Sequence, residues 1–338
     1  MAIKILITGT SGLVGFRILV SALVDGHSVV ATVRSREKEG LIRNNPAIQK
    51  LSVGARLIIA VIPDMTIDGA FDSALEGVSH IIHTGSPVPV PTFEPRSQVY
   101  EPTIRISSSL LTSALKTPTV RRVVITSSIV TNLGLNPSPT VAVSSSTRIP
   151  PLDPVPASFA NPMEAYILAK IAEIHNTERF IKTQKPHFSL SYIMPGHVFG
   201  RNELITKADM MFGQNSSNNF LMPGMIGGEL PFPIHGAFVH VDDLADIHLG
   251  VAMMDSSSPR DFGIACTVDY STIFDHVEKA FPEAVSAGVF KRGTVPVLPV
   301  NYSSTEMGEL LGRELKSFEE AVVDVAGQYL ENLGWNSA

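Results

Sequence analysis

The chain has a single cysteine, Cys266, in 338 residues. No disulfide can form within it, and the composition suits a reducing compartment. Long apolar runs are also missing, and none approaches the ~20 residues a membrane helix needs. The opening apolar run is only about five residues long and enters a glycine turn, so it does not read as a signal peptide. Basic charge is not in excess: 26 Lys and Arg stand against 32 Asp and Glu, for a formal net charge of −6. Nucleic acid is therefore not an expected partner. No cluster of His, Cys and Asp has metal-ligand spacing, and no metal is expected. These absences leave a cytoplasmic protein that acts on a small molecule away from any membrane. With 44% hydrophobic residues the chain can bury a large core, and its length suits two domains or one domain with a lobe.

What the sequence has is concentrated at its start. Ile3 to Ile7 is strand-like and runs into Gly9-x-x-Gly12-x-x-Gly15. The residues after Gly12 place Leu13, Phe16, Leu19, Val20 and Leu23 at helical spacing. Strand, glycine turn and helix form the layout in which N–H groups at a helix N-terminus hold a dinucleotide pyrophosphate. Gly9 would permit the tight turn, Gly12 the approach of phosphate, and Gly15 close packing of helix on strand. Further strands are expected at 28–33, 57–62, 80–83, 122–126 and 189–194, with helices at 104–115 and 163–182. Strands separated by such helices imply a doubly wound parallel sheet. Residues 197–236 interleave apolar groups with Gly, Pro and Asn, as expected of a lobe closing over a substrate. The Pro- and Ser-rich stretch 136–157 reads as a surface loop near the site.

Cofactor choice turns on the residues after the second strand. NAD binders tend to carry an acidic residue there. Here the sequence is Val33-Arg34-Ser35-Arg36-Glu37-Lys38. The Arg34 guanidinium can pair with a 2′-phosphate through two parallel bonds, and Arg36 or Lys38 can add a second charge. The expected cofactor is NADP(H).

Tyr166 and Lys170 lie four apart in a helical stretch, hence on one face. An ammonium beside a phenol favours the phenolate, so such a tyrosine can give a proton to a carbonyl oxygen while hydride reaches the carbon. A hydroxyl at the end of the fifth strand, within Thr126-Ser127-Ser128, would complete the set at the carboxyl edge of the sheet.

Together these segments resemble the extended short-chain dehydrogenase/reductases, of the dihydroflavonol-reductase and NADPH-dependent aldehyde/ketone-reductase branch. The matching pieces run from Thr8-Gly9-Thr10-Ser11-Gly12-Leu13-Val14-Gly15 through Thr32-Val33-Arg34, Gly69-Ala70-Phe71-Asp72 and His83-Thr84-Gly85-Ser86-Pro87. They continue with Arg121 to Ser128, Ala165-Tyr166 through Lys170, Pro195 to Gly200 and Phe238 to Asp243. The resemblance implies an α/β fold, a doubly wound Rossmann domain with a smaller C-terminal substrate-binding lobe. The Rossmann domain would take residues 1–196 and about 237–262, and the lobe residues 197–236 and about 263–338. It implies Ser128, Tyr166 and Lys170 as the catalytic set, with Lys170 also on the nicotinamide ribose. Asp64 and Met65 would meet the adenine. Ser11, Leu13, Val14, Thr84, Gly85, Ser86 and Thr126 would line the cofactor, and Pro195, Gly196, His197 and Val198 would flank the nicotinamide. Gly85 stands where the branch usually has alanine, which would widen the pocket, and Ile106-Ser107 replaces a frequent Gly-Thr. His83 and His240 fall on structural positions, Asp242 and Asp243 would cap the next helix, and Cys266 would be a small buried hydrophobe.

The expected activity is reduction of an uncharged, partly apolar aldehyde or ketone by a monomer or homodimer. A nucleotide-sugar epimerase or dehydratase is the rival on this scaffold, followed by a non-catalytic NADP-binding regulator.

Overall fold

Seven strands form one sheet: β1 (Lys4–Thr8), β2 (Ser28–Val33), β3 (Leu57–Val61), β4 (His80–His83), β5 (Arg122–Thr126), β6 (Ser189–Pro195) and β7 (Phe262–Ile264). Their order is β7-β6-β5-β4-β1-β2-β3, and every neighbouring pair is parallel. The computed structural model describes residues 2–213, 216–255, 261–304 and 310–335. Strand alternation splits the core between two faces. Ile5 and Ile7 of β1 face the helices Leu13–Val24 and Val241–Met253. Leu6 faces the other way, with Ile106 and Leu110 of Glu101–Leu115 and Ile174 of Pro162–Gln184.

The chain moves outward from β1 to β3 and then returns to β4 on the other side of β1. The β1–β4 edge is thus the switch point, above which a doubly wound sheet opens its ligand crevice. Three hydrogen bonds close this edge. The backbone N–H groups of Thr84 and Gly85 donate to Thr8 Oγ1 at 3.1 and 3.0 Å, and Thr84 Oγ1 donates to the Thr8 carbonyl at 2.6 Å.

A second core holds the lobe, where Phe199, Leu221, Met225, Phe274, Val322 and Val325 are buried together. The smaller sheet runs Cys266–Thr267, Ala237–His240, His197–Phe199. Helix Phe318–Leu333 closes the lobe. It is fixed to the post-β6 segment by Gln328, whose side-chain amide bonds both the N–H and the C=O of Asn202. This helix and β7 had no counterpart in the sequence expectations. Within the polar stretch 214–219, Gln214 and Asn215 lie outside the described residues. The rest forms a turn, Ser217–Phe220, in which Asn218 is buried and bonds the Gly200 backbone. Stretch 136–157 is largely exposed coil, with two residues, Val143–Ser144, paired to Tyr302–Ser303.

Candidate active site

The glycine turn has the geometry its sequence demands. Gly9 has φ +72°, which a side-chain-bearing residue rarely adopts. A Cβ on Gly15 would lie 2.3 Å from the Gly9 carbonyl oxygen, so only glycine lets the helix sit this close to the turn. Gly12 differs: the nearest atom to a Cβ there is Gly9 O at 3.5 Å, leaving its outer side open. Helix Leu13–Val24 begins at Gly12 with no side-chain cap and no acidic residue in its first turn. Its first N–H groups therefore remain free for an anion. A dinucleotide pyrophosphate fits this cradle.

At the end of β2 the basic residues separate into two kinds. Arg36 is taken by Glu39 at 2.6 Å, and Glu39 also binds Arg43 at 2.9 Å. Arg34 is exposed and, among the described residues, has no acidic partner; the Lys38 ammonium has none either. Ser35 caps the next helix through Lys38 N–H at 3.3 Å, which fixes the loop carrying both cations. Asp64 accepts from the Thr66 N–H and hydroxyl at 2.8 and 2.6 Å, and these bonds hold its carboxyl below the ordinary range. One carboxylate oxygen thus orders the turn and the other is left open. Met65, half-buried, packs on the core beneath.

Gly85 does not widen the crevice. A Cβ there would lie 3.0 Å from Thr8 Oγ1, so the missing methyl makes room for the Thr8 hydroxyl and its bond from Gly85 N–H. His83 shares that hydroxyl at 2.7 Å, and burial, with the charge of Lys170, pushes its imidazole down to about 3. It is a neutral structural histidine. Ser86 Oγ lies 3.5 Å from Thr103 Oγ1.

The proposed catalytic residues come from two elements that meet above β5. Tyr166 and Lys170 stand one turn apart on Pro162–Gln184, which starts at an Asn161 cap with Pro162 in its first turn. Tyr166 is half-buried against a cluster that includes Val130 and Ala165. Lys170 is buried and donates from Nζ to the Thr126 carbonyl at 3.3 Å, which ties the helix to the end of β5. Ser128 follows two residues later, with its Oγ accepting weakly from Val130 N–H at 3.4 Å. The Thr126 hydroxyl is turned elsewhere, 2.7 Å from His248 Nε2. His248 Nδ1 lies 2.7 Å from the Leu244 carbonyl, so Nδ1 carries the proton and Nε2 accepts from Thr126. Burial holds this ring neutral, its pKa down to about 4.

Pro195 to Val198 flank the same edge. The Pro195 carbonyl accepts from Ile129 N–H at 3.1 Å, beside Ser128. A Cβ on Gly196 would lie 2.6 Å from Ala237 O. His197 is stacked on Phe199 and lies near Phe220 and His235; burial pushes its pKa down to about 3.

Other expectations changed. The cap of Val241–Met253 is His240, whose Nδ1 accepts from Asp242 N–H at 3.1 Å. Asp242 and Asp243 lie in the first turn instead and bind cations: Asp242 takes Arg17 and Lys316, both at 2.6 Å, and Asp243 takes Arg313 at 2.6 Å. Oxygen and nitrogen atoms of His240, Asp242 and Asp324 gather within 4.8 Å of one another. Arg17 and Lys316 already neutralise Asp242, so this cluster reads as an ion-pair network. Cys266 is half-buried, and burial raises its thiol pKa. Glu173 and His248 were missed. Glu173 was readable as a lone acid three residues after Lys170 in an apolar run, whereas His248 is separated from Thr126 by 122 residues.

Known proteins show the family. The family model of the NAD dependent epimerase/dehydratase family matches residues 5–265. The chain belongs to this family, the extended short-chain dehydrogenase/reductases. It is 34% identical to "Ketoreductase CTB6" of Cercospora nicotianae, over 97% of this chain and 95% of that protein. It is 30% identical to "NAD-dependent epimerase/dehydratase ALT6" of Alternaria alternata, over 94% and 95%. Its fold is similar to that of yeast methylglyoxal/isovaleraldehyde reductase Gre2 complexed with NADPH, with TM-score 0.81 and 20% identity over 98% of this chain and all of that one. The family member described here is thus an oxidoreductase of carbonyl and CH–OH groups that works with a nicotinamide dinucleotide.

Proposed function

We propose that the protein is an NADPH-dependent reductase of an uncharged, partly apolar aldehyde or ketone, with Tyr166 as proton donor. What supports this reading is the Lys170 bond to the Thr126 carbonyl at the end of β5, with Tyr166 packed against Val130, whose N–H bonds the Ser128 hydroxyl. Ser11, Gly12, Leu13 and Val14 would hold the pyrophosphate, Arg34 and Lys38 the 2′-phosphate, and Asp64 with Met65 the adenosine. Thr84 to Ser86, Lys170 and Pro195 to Val198 would meet the nicotinamide side. When bound, the nicotinamide supplies the hydride equivalent. Ser128 Oγ orients the carbonyl oxygen, and Tyr166 Oη donates its proton to that oxygen as charge develops there. Thr126 contributes its carbonyl to Lys170 rather than its hydroxyl to the cofactor. The named ketoreductase relative and the NADPH-bound neighbour support the same reading.

The lobe argues for an uncharged substrate. A sugar-nucleotide diphosphate needs several free cations there, yet of the two that 197–236 offers, Arg201 forms a two-pronged pair with Glu331 and only Lys207 is exposed without an acidic partner among the described residues. Nearby side chains are apolar or neutral: Phe220 meets Phe232 edge-on at 6.0 Å, and His197 and His235 are both held neutral by burial.

The test is consumption of NADPH, with NADH alongside, over aldehydes, α-dicarbonyls, β-ketoesters and aryl ketones. Oxidation of NADPH with at least one of them is expected. Tight NADPH binding with no oxidation across the panel would overturn the reading.

A further inference from the structure

Lys170 is buried, and its side chain keeps only 2% of its exposure. An ammonium in that position needs a counter-charge, because desolvation opposes it. Glu173 supplies one: its Oε2 accepts from Lys170 Nζ at 2.8 Å, and its own side chain is 1% exposed. The second carboxylate oxygen accepts from Ser107 Oγ, which reaches across from the helix Glu101–Leu115. Ser107 in turn lies 3.3 Å from the Thr103 carbonyl. The carboxylate is thus held at both ends, between two helices.

A lysine ammonium has three protons to donate. Here one goes to the Thr126 carbonyl and one to Glu173. The third has no partner among the described residues, and Tyr166 stands one turn earlier on the same helix. We propose that Glu173, anchored by Ser107, is a positioning residue that aims the Lys170 ammonium and offsets its charge, and so sets the pH at which Tyr166 gives up its proton. This requires the carbonyl-reductase reading only for the use to which that proton is put. Other ionisable groups facing the pair do not substitute for Glu173. His83, on the Lys170 side from β4, is neutral at working pH because of its burial. Tyr192, from β6, has its phenol pushed well up by burial and by the Glu173 charge, so it also stays neutral.

The charge balance gives a direction. With Glu173→Gln the buried ammonium loses the counter-charge it needs and is driven toward the neutral amine, so the Tyr166 phenolate loses its stabilising cation and becomes harder to form. Ionisation of Tyr166 can be read without any substrate. The full-length protein is titrated by the ultraviolet absorbance of tyrosinate, and the same titration on Tyr166→Phe is subtracted. The same pair of titrations is then run in the Glu173→Gln background. The Tyr166 midpoint is expected to rise by on the order of one pH unit in Glu173→Gln. In enzyme turning over a carbonyl from the panel, the alkaline limb of kcat is expected to move the same way. An unmoved Tyr166 midpoint in folded Glu173→Gln would overturn the proposal. Should that variant not fold, Ser107→Ala decides: it releases the Glu173 carboxylate from its anchor, the ammonium is no longer held in aim, and the Tyr166 midpoint should rise. A midpoint equal to that of the unsubstituted protein would then overturn it. A chain that reduces no carbonyl but shows the midpoint shift would refute the substrate reading alone.

Discussion

At the scale of single residues, the proposed reading rests on a phenol proton and on a guanidinium that has no acidic partner among the described residues. Tyr166→Phe keeps the ring in its cluster with Val130 and Ala165 and removes only the donor. Turnover should fall by on the order of 10²–10⁴, the usual worth of a general acid, while NADPH binding measured by fluorescence stays near its original strength. Activity close to that of the unsubstituted protein would refute the assignment. Among the described residues Arg34 has no acidic partner, unlike Arg36, which pairs with Glu39. Arg34→Asp should therefore raise the KM for NADPH on the order of tenfold or more and leave that for NADH far less affected. An unchanged ratio of the two would mean that the 2′-phosphate is held elsewhere. The difference between Arg34 and Arg36 could not be read from the sequence, where both are basic residues of one loop. It depends on the turn of helix that brings Glu39 beneath Arg36.

At the scale of elements, legibility followed the range of the interactions. The β1–turn–helix unit is local, and Gly9 and Gly15 announce it because backbone conformation and close approach leave no alternative residue, while Gly12 keeps the approach to the helix N-terminus open. Gly15→Ala should cost about 1–3 kcal/mol, the range for overpacking a tight site, and weaken cofactor binding as the turn shifts. Thermal unfolding alongside a cofactor titration would measure both effects. The C-terminal helix was also signalled locally, by Ser317 and Glu320 in a reciprocal cap: Glu320 N–H donates to Ser317 Oγ at 3.2 Å and Ser317 N–H to Glu320 Oε2 at 2.7 Å. That spacing of serine and glutamate before an apolar run is a helix start, and it passed unused because no family motif covers the region. Ser317→Ala should cost about 1 kcal/mol, seen as a lower unfolding midpoint with the KM for NADPH unchanged. By contrast, β7 is three residues long and earns its place only by pairing with β6. The capping role of His240 likewise depends on the exit from the small sheet, so Asp242 and Asp243 were the natural but mistaken candidates.

Across the whole molecule, the buried imidazoles link these separate sites to one property, stability against acid. His83 locks the switch point, His248 the end of β5, and His197 the strand into the lobe, so each of the three junctions around the site contains one. In the folded chain, burial holds His83 and His197 down to about 3 and His248 to about 4. In the unfolded chain each takes a proton near the ordinary histidine value of about 6.5. Below that value the unfolded state binds more protons than the folded state, so stability falls as pH falls and is flat above it. For His248 alone the loss reaches roughly 3 kcal/mol by the time pH nears its folded value. Denaturant unfolding at pH 7.5, 6, 5 and 4.5 should give midpoints that drop steeply below about 6.5. His248→Gln keeps an acceptor near Thr126 without the titrating ring, and should reduce the steepness by about one proton's worth while lowering stability at neutral pH. An equal slope in that variant would show that the ring is already protonated in the folded protein, and the Thr126 hydroxyl would then have to be accepting rather than donating. That outcome would reverse the hydrogen-bond direction at the end of β5 and leave the Thr126 hydroxyl proton to find another acceptor.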